Sequence, residues 1–531
     1  MLAGYLRARA EVNPDALAIL AQGRAPLSYA GLLDQVTRTV DSLNRAGYGR
    51  GDRIALALPP GPETTVALLA ALAGCVCVPL NPASGAVELT SLLLRSRADV
   101  LLTSTDSGHA AQAAAEHAIP VAVLEPAASE AAGRFRLRIE GRARRAYTGF
   151  STEHELSALF PTSGTTALPK LIPLTQGDIC CHGERAMRYL GLTLSDRCLD
   201  FLAPFHHDAV AVSILSTVFA GASGVYPRAP SAPHFLSWAR EFRPTWCAAP
   251  PPFFRLLSLQ IHRSAPDLGL HTLFTCGAPL DEDDVAALER TFRAALRNSY
   301  GATECGGISI NPPPPAVRKR GSAGVSVGLE IRIVDELGEP LPAGQHGEVA
   351  VRGPGVFRGY EMDPDENVDT FFGEWYRTGD EGYLDGDGYL FLTGRLKEVI
   401  NRGGEKIAPL EIDQVLCSHP DVQDAATFPI PHPLFGEDIA AAVVLKGPRR
   451  GVDEIRRFAS ERLSAFKVPN KLLIVSEIPR GPTGKVQRIH LAARLADALA
   501  RAELIHSRPE SLAAPTSDHG AAVHDDGGEA S

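Results

Sequence analysis

The chain has 531 residues, of which 45% are hydrophobic and 21% charged, with 52 Lys and Arg against 62 Asp and Glu and a formal net charge of −10. This composition supports a large buried core and excludes a generally disordered chain, while the acidic balance argues against a dedicated nucleic-acid binder, which is normally basic. At roughly 100–200 residues per domain, the length predicts about three to five structural units.

The nine cysteines are scattered, with no C-x-x-C pair and no zinc-like spacing, and read as reduced core thiols of a cytoplasmic protein. The opening MLAGYLRARAEVNPD carries charge too early and too densely for a signal peptide. No apolar run reaches the roughly 18 residues of a membrane helix, so no integral membrane segment is expected.

In chain order, Ser28 can cap a helix whose apolar positions Tyr29, Leu32, Leu33, Val36, Val40 and Leu43 repeat at helical spacing, with Gly47 ending it. Short continuous apolar runs at 54–58, 76–80 and 100–102, separated by helical stretches at 62–72 and 86–96, predict a βαβα rhythm and a mostly parallel sheet. The Ala, Gly and Arg-rich stretch 125–150 reads as an irregular connection. A hydroxyl-rich run follows, LFPTSGTTALPKLIPLTQGDI at 159–179, flanked by two apolar segments that predict a hairpin loop at a sheet edge. Thr175 and Asp178 then form a T-x-x-D cap before a helix.

From 197 to 300 the strand–helix alternation resumes, so residues 1–300 are expected to form two α/β halves. After 320 come short strands separated by Asp-Gly turns such as Asp385-Gly386-Asp387-Gly388, which predict a small antiparallel barrel or sheet. A compact α+β segment runs from about 398. Residues from about 508 lack periodicity and large apolar side chains and read as a disordered tail.

Thr162, Ser163, Gly164, Thr165 and Thr166 with Lys170 offer backbone amides, hydroxyls and one cation, which suit a polyphosphate; a polar turn uses the same residue types. In Asn298-Ser299-Tyr300-Gly301-Ala302-Thr303-Glu304, Tyr300 offers a face for a base, Thr303 a hydroxyl for a phosphate and Glu304 a hard oxygen ligand for Mg²⁺. Asp380, closing Tyr376-Arg377-Thr378-Gly379-Asp380, can accept from both hydroxyls of a ribose; a structural Asx turn reads the same way. Gly394-Arg395-Leu396-Lys397 precedes the glycine pair Gly403-Gly404, and Lys485 stands on the Pro/Gly loop Pro482-Thr483-Gly484-Lys485.

In this order, the loop at 162–170, YGATE at 300–304, YRTGD at 376–380, GRLKEVINRGGEKI at 394–407 and PTGK at 482–485 together resemble the adenylate-forming superfamily of acyl-CoA synthetases, carrier-loading adenylation domains and luciferases. The resemblance extends to about residue 495, and FRPTWCAAPPPFFRLL at 242–257 is most similar to the oxalate and peroxisomal-type CoA ligase branch. It implies an α/β fold: a large N-terminal domain, 1–394, of two doubly wound halves plus a small antiparallel β-barrel, a hinge at 395–397, and a mobile α+β C-terminal domain, 398–500, ahead of the tail at 508–531. It also implies ATP, Mg²⁺ and coenzyme A as cofactors and a small carboxylic acid as substrate.

By the same resemblance Lys485 would act on the carboxylate and α-phosphate, Thr162–Thr166 and Lys170 would hold the outer phosphates, and Glu304 the metal. Tyr300, Gly301 and the Gly277-Ala278-Pro279 stretch would flank adenine, and Asp380 and Arg395 would take the ribose. Lys397 would carry the hinge, Gly403-Gly404 would line a pantetheine tunnel, and His206 would gate the acyl pocket. The chain departs from the family loop T-S-G-T-T-G-x-P-K-G at Ala167 and Leu171, and Cys305, Gly306 and Gly307 replace the histidine that oxalate-activating relatives carry soon after the glutamate. Asp208 is unusual and reads as the cap of the next helix, the alternative being a residue that faces the substrate. Small and apolar candidate wall residues, Ala248, Ala249, Cys276 and Ile308 among them, predict an uncharged acyl group. A separate carrier protein in place of coenzyme A, or a non-catalytic nucleotide-binding homologue, are the competing readings.

Overall fold

Short apolar runs become buried parallel strands through the first three hundred residues. The computed structural model describes residues 1–104, 108–142, 147–161, 170–260, 268–277, 280, 282–361, 367–402, 405–433, 435–447, 451–481 and 486–500. Contacts divide the chain into one unit of Met1–Val399 with Ala408–Glu411 and Arg480–Gln487, and a second of Ile400–Ile407, Ile412–Pro479 and the residues from Arg488 onward.

In the first unit β1 (Leu17–Leu20) and β2 (Leu27–Ser28) pair antiparallel. Ser28 accepts from the Gly31 amide and starts the helix Tyr29–Arg45, whose Leu32, Val36, Val40 and Leu43 are all buried. β3 (Arg53–Ala57), β4 (Val76–Pro79), β5 (Val100–Thr103), β6 (Val121–Pro126), β7 (Phe135–Arg138), β8 (Leu156–Pro161) and β9 (Leu171–Thr175) form a seven-stranded sheet in the order β7-β6-β5-β3-β4-β8-β9. The central strands run parallel, and antiparallel β7 and β9 end the sheet. The stretch expected as irregular thus contains a strand: Phe135 and Leu137 face inward between exposed Arg136 and Arg138, an alternation too short to outweigh the surrounding Ala and Gly.

β8 and β9 pair antiparallel on either side of the hydroxyl-rich run, at the sheet edge the flanking segments predict. Thr175 and Asp178 make the reciprocal capping box of the helix Gln176–Leu190.

β10 (Arg197–Asp200), β11 (Ser223–Val225), β12 (Trp246–Ala248), β13 (Thr272–Cys276), β14 (Ala295–Ala302), β15 (Gly306–Ile310) and β16 (Val325–Ser326) form the second sheet, ordered β16-β15-β14-β13-β12-β10-β11-β1-β2. The two expected halves are therefore two sheets, but residues 17–28 belong to the second: Ile19 pairs with Gly224 on β11. Pairing across two hundred residues leaves no trace in local sequence.

β17 (Glu330–Val334), β18 (Gly347–Arg352), β19 (Phe371–Phe372), β20 (Trp375–Leu384) and β21 (Leu390–Arg395) make an antiparallel sheet with β20 at its centre. The sequence expectation allowed a closed barrel here. Among the described residues no pairing joins β17 to β19 or β21, so the sheet is open. Asp-Gly turns specify hairpins, whereas closure also needs matched tilt and stagger that turns do not encode.

The second unit carries β22 (Ile400–Arg402), β23 (Glu405–Ile407), β24 (Val422–His432), β25 (Gly436–Leu445) and β26 (Lys471–Ile474), in the order β23-β22-β25-β24 with β26 parallel to β25. Ile412, Leu416, Ile439, Val443 and Ile455 fill its core. Arg402 pairs with Asp438 at 2.8 Å and Arg488 with Asp413 at 2.7 Å, both carboxylates buried.

Asp200, at the end of β10, is buried, and burial pushes its carboxyl from 3.8 up to about 7 although the Leu202 amide donates to Oδ1 at 2.9 Å. The folded state therefore binds more protons than the unfolded state between those two values, and stability falls as pH rises through that window. Asp200→Asn removes the titration and keeps the acceptor. The wild-type melting temperature is expected to drop between pH 5 and pH 8 by more than that of the variant; parallel curves in differential scanning fluorimetry would refute this.

Candidate active site

Ligands of open α/β sheets gather at the carboxyl ends of the strands. β12, β13 and β14 run parallel and end at Ala248, Cys276 and Ala302. Gly277 follows β13 directly, and Tyr300 and Gly301 lie in the last turn of β14. β14 then folds back on β15, with Gly301 opposite Gly307 and Ala302 opposite Gly306, and the Cys305 amide donates to the Ala302 carbonyl at 3.1 Å. Thr303 and Glu304 thus sit at the tip of a tight hairpin.

That tip is held from behind. Arg185, on the helix Gln176–Leu190, is only 4% exposed, and its guanidinium donates to the carbonyls of Cys305 at 2.7 Å and Gly307 at 3.0 Å, and also to that of Pro354. The Phe357 amide donates to the Glu304 carbonyl at 2.7 Å. The hairpin and the 353–360 segment are therefore fixed to one another.

Two groups of predicted site residues result. In the first, the Tyr360 hydroxyl donates to Glu304 Oε1 at 2.8 Å, and Lys170 Nζ lies 4.6 Å from the Tyr360 ring centroid. The cation expected on phosphate and the carboxylate expected on metal thus meet one aromatic ring. Tyr376 is buried beside them; its hydroxyl is pushed up by burial, with Glu304 and Tyr360 adding.

In the second group, Asp380 on β20 stands opposite Arg395 on β21. Asp380 is buried, takes Arg395 Nε at 2.8 Å on Oδ1 and the Tyr300 hydroxyl at 2.7 Å on Oδ2. The carboxylate raises the Arg395 guanidinium further above its ordinary value, and burial followed by Asp380 raises the Tyr300 hydroxyl. Each carboxylate oxygen has a second lone pair, so Asp380 retains acceptor capacity for a ribose. Lys397 follows, exposed, in the short 3₁₀ turn Leu396–Glu398.

His206 is half-buried, its ring 4.5 Å from that of Phe205. Asp208 does not cap the next helix: its own backbone is already helical at φ −63° and ψ −36°, and its side chain makes no capping hydrogen bond. The segment it begins, Ala209–Leu215, is a π-helix continued by the α-helix Ser216–Ala220. An αR residue cannot present its carboxylate to the following amides as a β-region cap does. Instead, Asp208 Oδ2 accepts from the Cys276 thiol at 3.2 Å.

Thr162, Ser163, Gly164, Thr165, Thr166, Ala278, Pro279, Gly403, Gly404 and Lys485, and the tail from 508, lie outside the described residues. Among the described residues there is no cluster of three or more His, Cys, Asp or Glu able to hold a metal, and no helix long and apolar enough to cross a membrane. A lone carboxylate such as Glu304 fits Mg²⁺, which takes one or two protein carboxylates and fills its remaining positions with phosphates and water. It does not fit a fully protein-ligated ion.

Sequence reasoning missed Arg185, Tyr360, Tyr376 and His182. None belongs to a local motif that marks it; each acts through a partner distant in sequence. Tyr376 alone stood inside a quoted motif, without a role.

Residues 6–361 match the AMP-binding enzyme family and residues 411–485 the AMP-binding enzyme C-terminal domain. Among similar proteins, oxalate–CoA ligase of Arabidopsis thaliana is 35% identical over 92% of this chain and 97% of its own length. Sulfoacetate–CoA ligase of Cupriavidus necator is 33% identical, again over 92% and 97%. Among solved structures, ATP-bound MatB from Rhodopseudomonas palustris superposes with a TM-score of 0.82 at 27% identity, covering 95% of this chain and all of that one. O-succinylbenzoate coenzyme A synthetase from Bacillus subtilis, in complex with ATP and magnesium, gives 0.79 at 26% identity over 92% and 98%.

Arg185→Lys keeps the charge but cannot aim one fork at three carbonyls. About 1–3 kcal/mol of stability is expected to be lost for each carbonyl left unsatisfied. With the hairpin tip loosened, KM for ATP should rise severalfold. Thermal unfolding and steady-state kinetics check both; an unchanged melting temperature with unchanged KM contradicts the assigned role.

Proposed function

This chain belongs to the AMP-binding enzyme family and is an AMP-forming acyl-CoA ligase, and on that premise we propose how its residues divide the work. In the first half-reaction a carboxylate oxygen of the acid attacks the α-phosphorus of ATP, the bond to the bridging oxygen breaks, and pyrophosphate leaves. The product is an acyl-adenylate. In the second, the coenzyme A thiol gives up its proton, its sulfur attacks the acyl carbonyl carbon, and AMP departs with the former carboxylate oxygen, leaving the thioester.

Lys485 would stabilise the negative charge that builds on the α-phosphate and the entering carboxylate, an electrostatic role. Thr162, Ser163, Gly164, Thr165, Thr166 and Lys170 would hold the outer phosphates, with Thr303 donating a hydroxyl. Glu304 would hold Mg²⁺, which neutralises phosphate charge when bound. Tyr300, Gly301, Gly277, Ala278 and Pro279 would surround adenine, and Asp380 with Arg395 would take the ribose. His206 would gate the acid. The chain is proposed to have an N-terminal domain of 1–394, a hinge at 395–397 and a C-terminal domain of 398–500. Rotation about Lys397 would withdraw Lys485 after the first step and bring Gly403-Gly404 to the pantetheine arm, so that one site serves two reactions in turn.

The observation that carries this reading is the convergence of Lys170 and Glu304 on Tyr360, together with Tyr300 and Arg395 on Asp380. Groups suited to phosphate, metal, base and ribose come from four separate stretches of sequence. The small and apolar residue types at 248, 249 and 308 motivate the reading of an uncharged acyl body.

Lys485→Ala tests the mechanism. Acid-dependent ATP–pyrophosphate exchange is expected to fall about a hundred- to a thousandfold, as when a group stabilising the transition state is removed. Conversion of supplied acyl-adenylate to acyl-CoA should persist. Undiminished exchange would refute the role. Comparing coenzyme A with a carrier-protein thiol in the same assay identifies the acceptor.

A further inference from the structure

The ligase chemistry assigns no work to Tyr360, yet its position is fixed from several directions. Gly359 before it holds left-handed backbone at φ +124°, and a Cβ there would come within 3.0 Å of the Asn367 amide group. Asn367 in turn holds the Tyr360 main chain: its Oδ1 accepts from the Tyr360 amide at 2.7 Å and its Nδ2 donates to the Tyr360 carbonyl at 2.9 Å. On the other side Glu361 forms an antiparallel bridge with Leu171, its amide donating to the Leu171 carbonyl at 3.0 Å, and its carboxylate takes Arg53 at 2.5 Å. The residues that follow Lys170 and Tyr360 in the chain are thus paired with each other.

The helix Gln176–Leu190 holds the start of the same segment. Arg185 donates to the Pro354 carbonyl, and His182 Nε2 lies 2.7 Å from the Gly355 carbonyl, with its Nδ1 2.8 Å from His207 Nε2. The Phe357 ring, 2% exposed, packs edge-on against Tyr360 at 4.9 Å and against Tyr376 at 5.2 Å. Main chain and ring of Tyr360 are both set by their neighbours.

Two charged groups end on that ring. Its hydroxyl donates to Glu304 Oε1 at 2.8 Å, and Lys170 Nζ stands 4.6 Å from its centroid. One donor on one oxygen restricts how the carboxylate turns and leaves it acceptor capacity, since each oxygen has two lone pairs. The ring is planar and rigid, so the ammonium on its face and the carboxylate at its hydroxyl stay two separate charges. Without the ring, an ammonium and a carboxylate in reach attract each other directly, and a Lys170–Glu304 pair would be lost to phosphate and metal. Lys170, Glu304 and Tyr360 are all half-buried, so each keeps accessible surface.

We propose that Tyr360 is a positioning residue for the metal and polyphosphate end of ATP: its hydroxyl orients Glu304 for the cation, and its ring keeps Lys170 apart from Glu304 and available to phosphate. This rests on the reading that Glu304 takes Mg²⁺ and Lys170 the outer phosphates, and adds the residue that makes the two assignments compatible. Partners behind a metal ligand commonly account for about ten- to a hundredfold in metal affinity. The set of Tyr300, Asp380 and Arg395 is built without Tyr360, so AMP, which lacks the outer phosphates, is the internal control.

The test is equilibrium binding of AMP and of α,β-methylene-ATP, which is not cleaved at the α-phosphorus, measured by calorimetry with and without Mg²⁺. In the wild type Mg²⁺ is expected to tighten the analogue and leave AMP unchanged. Tyr360→Phe keeps the ring and removes the donor: with Mg²⁺ present the analogue should bind about tenfold more weakly, while AMP stays within about twofold. In a Glu304→Gln background Tyr360→Phe should cost nothing further, because it acts through that carboxylate. Tyr360→Leu removes the spacer as well and should weaken the analogue even without Mg²⁺. Unchanged analogue binding in Y360F, an equal loss for AMP and analogue, or an undiminished effect in the E304Q background overturns the positioning role and leaves the ligase reading intact. Tyr360→Leu that binds the analogue like Tyr360→Phe overturns the spacer role. A wild type that binds the analogue with no response to Mg²⁺ overturns the metal assignment of Glu304 and the proposal with it, and one that binds neither nucleotide overturns the ligase reading as well.

Discussion

A single buried guanidinium organises the first unit around its site. Arg185 is satisfied by main-chain carbonyls from Cys305, Gly307 and Pro354, so three oxygens that would otherwise need water are paired by one rigid fork. The charge is costly to bury, and that cost is offset because both terminal guanidinium nitrogens have fixed carbonyl acceptors. The consequence is geometric. The hairpin tip bearing Glu304 and the segment bearing Tyr360 become one body, and the Glu304 and Tyr360 side chains inherit its rigidity.

The two groups of site residues differ in how much they can change. Tyr300, Asp380 and Arg395 form a closed set of charge-assisted hydrogen bonds between a parallel-sheet strand end and the antiparallel sheet, which ties two sheets of the same unit together. Lys170 and Glu304 instead approach opposite parts of Tyr360, face and hydroxyl. The Asp380 carboxylate, held by two donors at 2.7 and 2.8 Å, is suited to stay in place. The surroundings of His182 follow a third pattern. There the glycines at 306 and 355 leave room for a buried imidazole.

What local sequence reveals is what acts locally. The capping pairs Ser28–Gly31 and Thr175–Asp178, the strand runs of both parallel sheets and the hairpin flanking the hydroxyl-rich run all depend on residues a few positions apart. Errors arise where geometry is set from afar. Asp208 has the residue type of a cap, but the π-helix after it starts with Asp208 already helical, and seven residues are too few to separate a π period from an α period. The strand at 135–138 is hidden by composition, and an Asp-Gly turn cannot report whether its sheet closes.

The site divides along the same line. Glu304, Tyr300, Asp380, Arg395 and Lys170 are legible because each sits in a short stretch whose residue types already suggest chemistry. Arg185, Tyr360, His182 and His207 are not, because their meaning lies in partners up to nearly two hundred residues away. The sequence by itself determined the element types, the family and the chemical groups available, since periodicity, turn residues and motif order are properties of neighbours along the chain. Only the tertiary structure decided which of those groups face one another, that residues 17–28 join the second sheet, and that Lys170 and Glu304 meet one tyrosine ring, because packing and register act between segments that the chain itself keeps far apart.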